Sequence, residues 1–231
     1  MLLSTVVPDV IWVSERPVWF SGVRLRARST VIRLPDRRLL IHSPPLPSPD
    51  LCAEIEALGE VSYLLIPNCF HHLAAPAFAA RYPSAAVIGP RSAAAKNRDL
   101  KLQHELTPEA LTSVIPDFDV IPLEGCPFLD ETVLFHRPTG SLLGADLLIS
   151  AGAGDHFSWR WAARITGCYD KPSVPPDVRG KTRANQATAR AIDRMTSLPI
   201  QRILVAHCDA IVDRPAARLA TAWQFSGATQ R

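Results

Sequence analysis

Long apolar runs are missing from this sequence. No stretch approaches the roughly eighteen residues that a membrane-crossing helix needs, so a spanning segment is excluded. A charge excess is missing too. The 25 Lys and Arg residues stand against 22 Asp and Glu, and the surplus of +3 is scattered along the chain, which predicts neither a nucleic-acid partner nor a membrane partner. The five cysteines (Cys52, Cys69, Cys126, Cys168, Cys208) are odd in number and lack CxxC spacing, which argues against a disulfide framework and makes each by default a small buried hydrophobe. The start of the chain lacks a basic segment, and Pro8 and Asp9 interrupt its apolar stretch. No signal peptide is expected, and the expected location is cytoplasmic.

What is present is a globular ratio: 47% apolar residues against 20% charged leaves no room for disorder or a fibrous repeat, and 231 residues suit a single domain over 1–231. The first segments are short, rich in branched residues and broken by Pro17, Gly22 and Pro35-Asp36. They predict an antiparallel meander with strands at 10–13, 24–28, 29–34 and 39–42. Arg24, Arg26 and Arg28 alternate and so share one strand face, expected either to be solvated or to form an anion-binding row. A helix over 50–58, capped by Ser48 or Asp50 and stopped by Gly59, precedes the almost wholly apolar run 61–66, which reads as a strand covered on both faces. A helix over 73–81 and a strand over 85–88 complete a β-α-β-α-β order. Further strands are expected at 118–122, 132–135, 142–145 and 202–206. Helices are expected at 90–98, 155–165, 183–197 and 214–225, and a loop or lid at 169–181.

Chemistry concentrates at the ends of buried strands, where α/β proteins present groups to ligands. His71 and His72 follow the turn closing 61–66 and are expected to open a helix; His207 ends the strand over 202–206. Asp146 is the lone carboxylate in an apolar segment from Ser141 to Ser150. A buried carboxylate requires a cation, a donor network or solvent, so Asp146 is either a ligand or a partner of a neighbouring backbone turn. Phe157, Trp159 and Trp161 could wall a pocket or pack as a helix face. Gly180-Lys181-Thr182 lacks the glycine that a phosphate-binding loop needs five residues earlier, since Pro175 stands there. Gly152-Ala153-Gly154 is too short for a dinucleotide fingerprint and precedes Asp155, expected as a helix cap.

In this order the segments resemble the metallo-β-lactamase superfamily: a meander, a short buried strand, the turn Pro67-Asn68-Cys69-Phe70-His71-His72-Leu73, then Gly125-Cys126-Pro127, Leu142 to Asp146, and Ile203 to Asp209. More narrowly they resemble an uncharacterised branch of it with a Pro-Asn-x-Phe-His-His-Leu turn and a first sheet ending in His-Ser-Pro, here His42 to Pro44. The resemblance implies an α/β (α+β) fold, a four-layer αββα sandwich with a metal site at one edge. Laid on the superfamily's pattern, the three-histidine metal site falls on Pro67, Cys69 and Cys126, and proline offers no side-chain ligand. The other site falls on His71, His72, Asp146 and His207, all able to hold zinc, iron or manganese.

The resemblance therefore implies a metal-dependent hydrolase with a degenerate, mononuclear site, acting on a small ester, thioester, lactone or phosphoester, with Asp146 and His71 as catalytic groups. Cys69 and Cys126 are additional candidate ligands, or Cys69 a nucleophile. The alternative is a non-catalytic protein of the same fold, without a bound metal, that binds a small ligand or partner. Adjacent histidines at a helix start diverge by about 100°, so His71 and His72 can share one ion only in a non-helical turn. Otherwise one ligates and the other supports it.

Overall fold

The computed structural model describes residues 2–182 and 185–227. Its contacts group into two compact units. The first comprises Arg28–Leu106 with the segment up to Arg16, and the second comprises Pro17–Ala27 with the chain from Thr107 onward.

The first unit is built on a mixed sheet in the order β1 (Ser4–Val7), β2 (Ile11–Phe20), β3 (Val23–Arg33), β4 (Arg38–His42), β5 (Glu60–Leu65), β6 (Ala86–Gly89), β7 (His104–Glu105). The distal ends of β2 and β3, residues 17–27, count with the second unit. The meander pairs antiparallel, as in Thr30 with His42, and the ladders from β4 to β7 are parallel. Parallel strands need crossovers, and three helices supply them: α1 (Pro49–Leu58), α2 (Ala75–Arg81) and α3 (Arg91–Lys96). Helix α1 begins where Ser48 accepts the Leu51 amide and Pro49 presets the first turn. Leu51 and Ile55 then pack on Leu39, Ile41, Leu64 and Phe78, all buried. The expected β-α-β-α-β order over 39–88 is present.

The second unit carries a four-stranded sheet, ordered β11 (Arg202–Leu204), β10 (Ser141–Leu143), β9 (Thr132–His136), β8 (Phe118–Pro122). Its helices are α4 (Pro108–Leu111), α5 (Phe157–Thr166), α6 (Pro176–Lys181), α7 (Gln186–Thr196) and α8 (Pro215–Trp223). Strand β10 is antiparallel to β9 but parallel to β11, pairing Leu142 with Ile203 and Leu143 with Leu204. The pairing continues past both strands through Gly144 N to Leu204 O (3.0 Å) and Ala206 N to Ala145 O (3.0 Å). Parallel neighbours end at the same edge, so the residues that follow them, Asp146 and His207, are delivered together.

Several local expectations change. The two strands expected at 24–28 and 29–34 are one strand, β3. The arginine row is solvated only at Arg24: Arg28 is buried against Glu15, and Arg26 pairs with Asp155 and Asp209. The loop or lid expected over 169–181 is loop as far as Pro175 and helix beyond it. Bridges join Ile149 to Ser173 and Ala151 to Tyr169, and the prolines that suggested a loop open α6 instead, because proline suits a first helical turn. Helix α2 starts at Ala75, which leaves His71 and His72 in a non-helical turn. Helix α7 is capped by Asn185; Arg183, where it was expected to begin, lies outside the described residues.

Gly59 closes α1 where a Cβ would overlap the Arg37 carbonyl oxygen, so the glycine is required by close backbone approach. Gly59→Ala should lower unfolding stability by about 1–3 kcal/mol, as overpacking does. Denaturant unfolding measures this, and an unchanged midpoint would contradict the packing described.

Candidate functional site

In the second unit, His207 is fixed at both ends of its ring. Its Nδ1 lies 2.5 Å from the Arg26 carbonyl oxygen. A carbonyl can only accept, so Nδ1 carries the proton, and Nε2 is left as the nitrogen with a lone pair in the neutral ring. That Nε2 faces Asp146 Oδ1 at 3.4 Å, with the side chains only 10% and 15% exposed. Two acceptors face each other, and they repel unless a cation or a proton lies between them. Burial works against a charged His207, but the hydrogen bond and charge of Asp146, the Arg26 carbonyl and the charge of Glu131 outweigh it, and its pKa is raised.

Asp146 is placed by its backbone. The carboxylate of Glu131, 2% exposed, accepts from Ala145 N (2.8 Å) and Asp146 N (2.9 Å), and so fixes the corner that follows β10. Gly144 admits it, since a Cβ there would stand 3.0 Å from Glu131 Oε1. One residue past Asp146, the Leu147 carbonyl accepts from Trp223 Nε1 of α8 at 3.1 Å, with Trp223 wholly buried. On the other side Arg26 spreads its guanidinium between Asp155 (2.8 and 3.3 Å) and Asp209 (2.8 Å), while Asp155 accepts the Gly152 amide. The expected cap role of Asp155 is therefore corrected: His156 caps α5, accepting from Ser158 N, and Asp155 anchors Arg26.

In the first unit, the turn after β5 is shaped by buried Asn68, whose side-chain oxygen accepts from Phe70 N (2.9 Å) and His71 N (3.0 Å). The His71 Nδ1 meets Ser43 Oγ at 2.6 Å. Ser43 has φ +56°, a conformation uncommon outside glycine, held by Ser43 N to Leu65 O (2.8 Å) and Ser29 Oγ to Ser43 O (2.5 Å). Behind it His42 is buried with Nε2 unpartnered, and burial together with the charge of His71 drives its pKa down to about 3. His72 is also buried with an unpartnered Nδ1; burial, Lys96 and His71 lower its pKa.

The two candidate thiols have different partners. Cys69 Sγ accepts from Lys96 Nζ at 3.0 Å, and that ammonium also stands 4.0 Å from the Phe70 ring centroid. Cys126 Sγ lies 3.0 Å from Thr182 Oγ1. The preceding Gly125, at φ +78°, takes a hydrogen bond from Asn185 Nδ2 on its carbonyl. Of the residues singled out from sequence, Asp146 and His207 meet within the second unit, and His42 and His71 influence one another within the first. Glu131 and Ser43 were not foreseen, and Arg26 and Asp155 were singled out for other roles.

A profile described as a domain of unknown function, DUF4336, matches residues 8–94. Among curated proteins no match is found. Solved structures match along nearly the whole chain. A metallo-β-lactamase from Pontibacter korlensis is 11% identical with a TM-score of 0.65, over 96% of this chain and 98% of its own. The DIM-1 metallo-β-lactamase is 13% identical with a TM-score of 0.66, over 97% and 96%. The mono-zinc form of the metallo-β-lactamase FIM-1 from Pseudomonas aeruginosa is 11% identical with a TM-score of 0.63, over 97% and 96%.

The chain has the metallo-β-lactamase fold. Within that fold the facing pair Asp146 and His207 is a candidate metal site.

Without metal, a proton takes the position between the pair, and this has a sign. A histidine whose folded pKa is raised contributes stability in full below its unfolded pKa of about 6.5 and loses it as pH rises through the folded value. Chelator-treated protein should therefore lose stability as pH rises from near 6 through the folded pKa of His207, and His207→Asn should remove that component. Urea unfolding across this range measures it; a wild-type profile identical to that of the variant would contradict the assignment.

Proposed function

We propose that the chain is a metal-dependent hydrolase holding a single divalent ion, with zinc the best-suited metal and iron or manganese next, and acting on a small ester, thioester, lactone or phosphoester. The observation that carries this is the hydrogen bond of His207 Nδ1 to the Arg26 carbonyl, which aims Nε2 at the part-buried carboxylate of Asp146. The donor set suits such an ion: neutral imidazole and carboxylate are ordinary zinc ligands, and an outer hydrogen bond that fixes the ring is the usual support for a ligating histidine.

The proposed ligands are His207, Asp146, His71 and His72. His71, like His207, has its Nδ1 held by a neighbour, the Ser43 hydroxyl at 2.6 Å. His72 brings a buried nitrogen that has no other partner. The non-helical turn removes the divergence that a helix start would impose on the two. When bound, the ion would act as a Lewis acid toward the substrate oxygen and make water acidic enough to serve as a nucleophile near neutral pH. Asp146, held in place by Glu131, would orient that water, and His71 would hold or move its proton.

The ligand set excludes Cys69 and Cys126. The Lys96 ammonium already supplies positive charge at Cys69, which disfavours a metal cation there, and Cys126 is engaged by a neutral hydroxyl. Pro67 offers no ligand atom. One ion, not two, follows, and the mono-zinc state of the FIM-1 neighbour is a precedent within the fold.

Protein purified without added metal, or reconstituted, should carry about one equivalent of zinc, iron or manganese by elemental analysis, as a mononuclear site requires. The Asp146→Ala/His207→Ala double variant should lose it. Absence of metal after reconstitution overturns the proposal, and uptake unchanged in the double variant overturns the ligand set. In a panel of esters, thioesters, lactones and phosphoesters, turnover should fall by about a hundredfold or more in Asp146→Asn. A metal-loaded protein that turns over none of them would be a non-catalytic member of the fold.

A further inference from the structure

Besides Val212, five large apolar side chains of the second unit stand in solvent: Trp19 (68% exposed), Phe20 (53%), Phe157 (73%), Trp161 (68%) and Ile165 (65%). They are not scattered. Phe157, Trp161 and Ile165 recur every fourth residue along α5 and so form one stripe. Trp19 joins that stripe through His156, whose ring centroid is 5.9 Å from Trp19 and 4.4 Å from Phe157. Phe20 is the next residue at the tip of the β2–β3 hairpin.

The face is rigid from behind. On the opposite side of α5, Trp159 and Ala163 are buried with Leu25, Ile149 and Ala151, and Val18 and Val23 of the hairpin pack on the same cluster. Arg24 N donates to Ser158 Oγ at 3.1 Å, fastening hairpin to helix. Core packing therefore explains Trp159 and leaves the exposed stripe unexplained. A contiguous exposed patch of this kind marks an interaction surface.

Its charge identifies the partner. Residues 16–28 and 156–169 contain no acid, and they carry Arg24, Arg160 and Arg164. Among the described residues, none of these three arginines is in an ion pair; Arg164 lies over the Tyr169 ring at 3.6 Å and donates to the Arg160 carbonyl. Of the nearest acids in sequence, two are engaged by other arginines. Asp155 is on Arg26, Glu15 is on Arg28, and Asp170 lines a separate groove of about 270 Å³ with Asp209 and Asp213. Tryptophan and phenylalanine flanked by unpaired arginines suit a headgroup layer, where the rings enter the boundary with the acyl chains and the guanidinium groups meet anionic lipid. A second copy of the chain would set arginine against arginine. A nucleic acid could stack on the rings but would leave Ile165 in water.

We propose that the face formed by α5 and the hairpin tip docks on the surface of an anionic lipid bilayer. The scattered net charge concealed this, because the patch is defined by local absence of acid rather than by an overall excess of base.

The test is flotation of the full chain with vesicles of phosphatidylcholine alone and of phosphatidylcholine containing about a third phosphatidylserine, a strongly anionic surface. Binding is expected to the anionic vesicles, with a blue shift of tryptophan emission and weakening as salt is raised. The exposed-site variant Phe157→Ser/Trp161→Ser should reduce partitioning about tenfold or more, and Arg160→Gln/Arg164→Gln several-fold, with circular dichroism and unfolding midpoints unchanged in both. No binding to anionic vesicles overturns the proposal, as does binding that the Phe157→Ser/Trp161→Ser variant leaves unchanged. Retention on single-stranded DNA without vesicle binding overturns it, and so does a dimer that this variant dissolves, again without vesicle binding.

Discussion

A backbone carbonyl decides the chemistry of His207. By accepting a hydrogen bond from Nδ1–H, Arg26 O fixes which ring nitrogen faces away, and the sheet then sets that nitrogen against Asp146. An imidazole acceptor and a carboxylate facing each other at a part-buried position repel, and positive charge between them relieves this most fully. The fold thus maintains a standing demand for a cation that a proton meets when no metal is bound. The raised pKa of His207 is the thermodynamic expression of that demand.

The second unit is arranged to hold this pair still. Parallel pairing of β10 with β11 brings both residues to one edge, Glu131 clamps the corner before Asp146, and Trp223 holds the chain just after it. Arg26 does more than donate a carbonyl: its side chain is fixed between Asp155 and Asp209, and it lies on the strand whose tip carries Trp19 and Phe20. One hairpin therefore contributes to the orientation of His207 and to the exposed aromatic face.

Much of the fold was legible in the sequence because its signals are local. Ser48-Pro49 announces α1, the apolar run ending at Ile66 announces a buried parallel strand, and the lone carboxylate after Leu142-Leu143-Gly144-Ala145 marks a strand end that needs a partner. His207 was legible for the same reason. Glu131, Ser43 and Arg26 were not, because each acts on backbone or ring atoms far along the chain: Arg26 lies 181 residues from His207 and Glu131 lies 15 from Asp146. Neither residue has a sequence pattern that reveals such a role. The prolines of 169–181 misled because proline marks loops and helix starts alike. The aromatic residues of α5 were ambiguous since apolar periodicity shows that a stripe exists, not which side of the helix is covered.

The metallo-β-lactamase fold does not itself fix an activity. What argues for hydrolysis here is the supported His–Asp pair, together with the two histidines of the non-helical turn after β5. The most direct measurement of that claim is side-chain ¹⁵N NMR of the histidines during titration of zinc into chelator-treated protein. The account predicts that at one equivalent His207 Nε2 loses its proton and shifts while Nδ1–H stays on its carbonyl. A His207 spectrum unmoved by zinc, or one in which Nδ1 shifts instead, would contradict it.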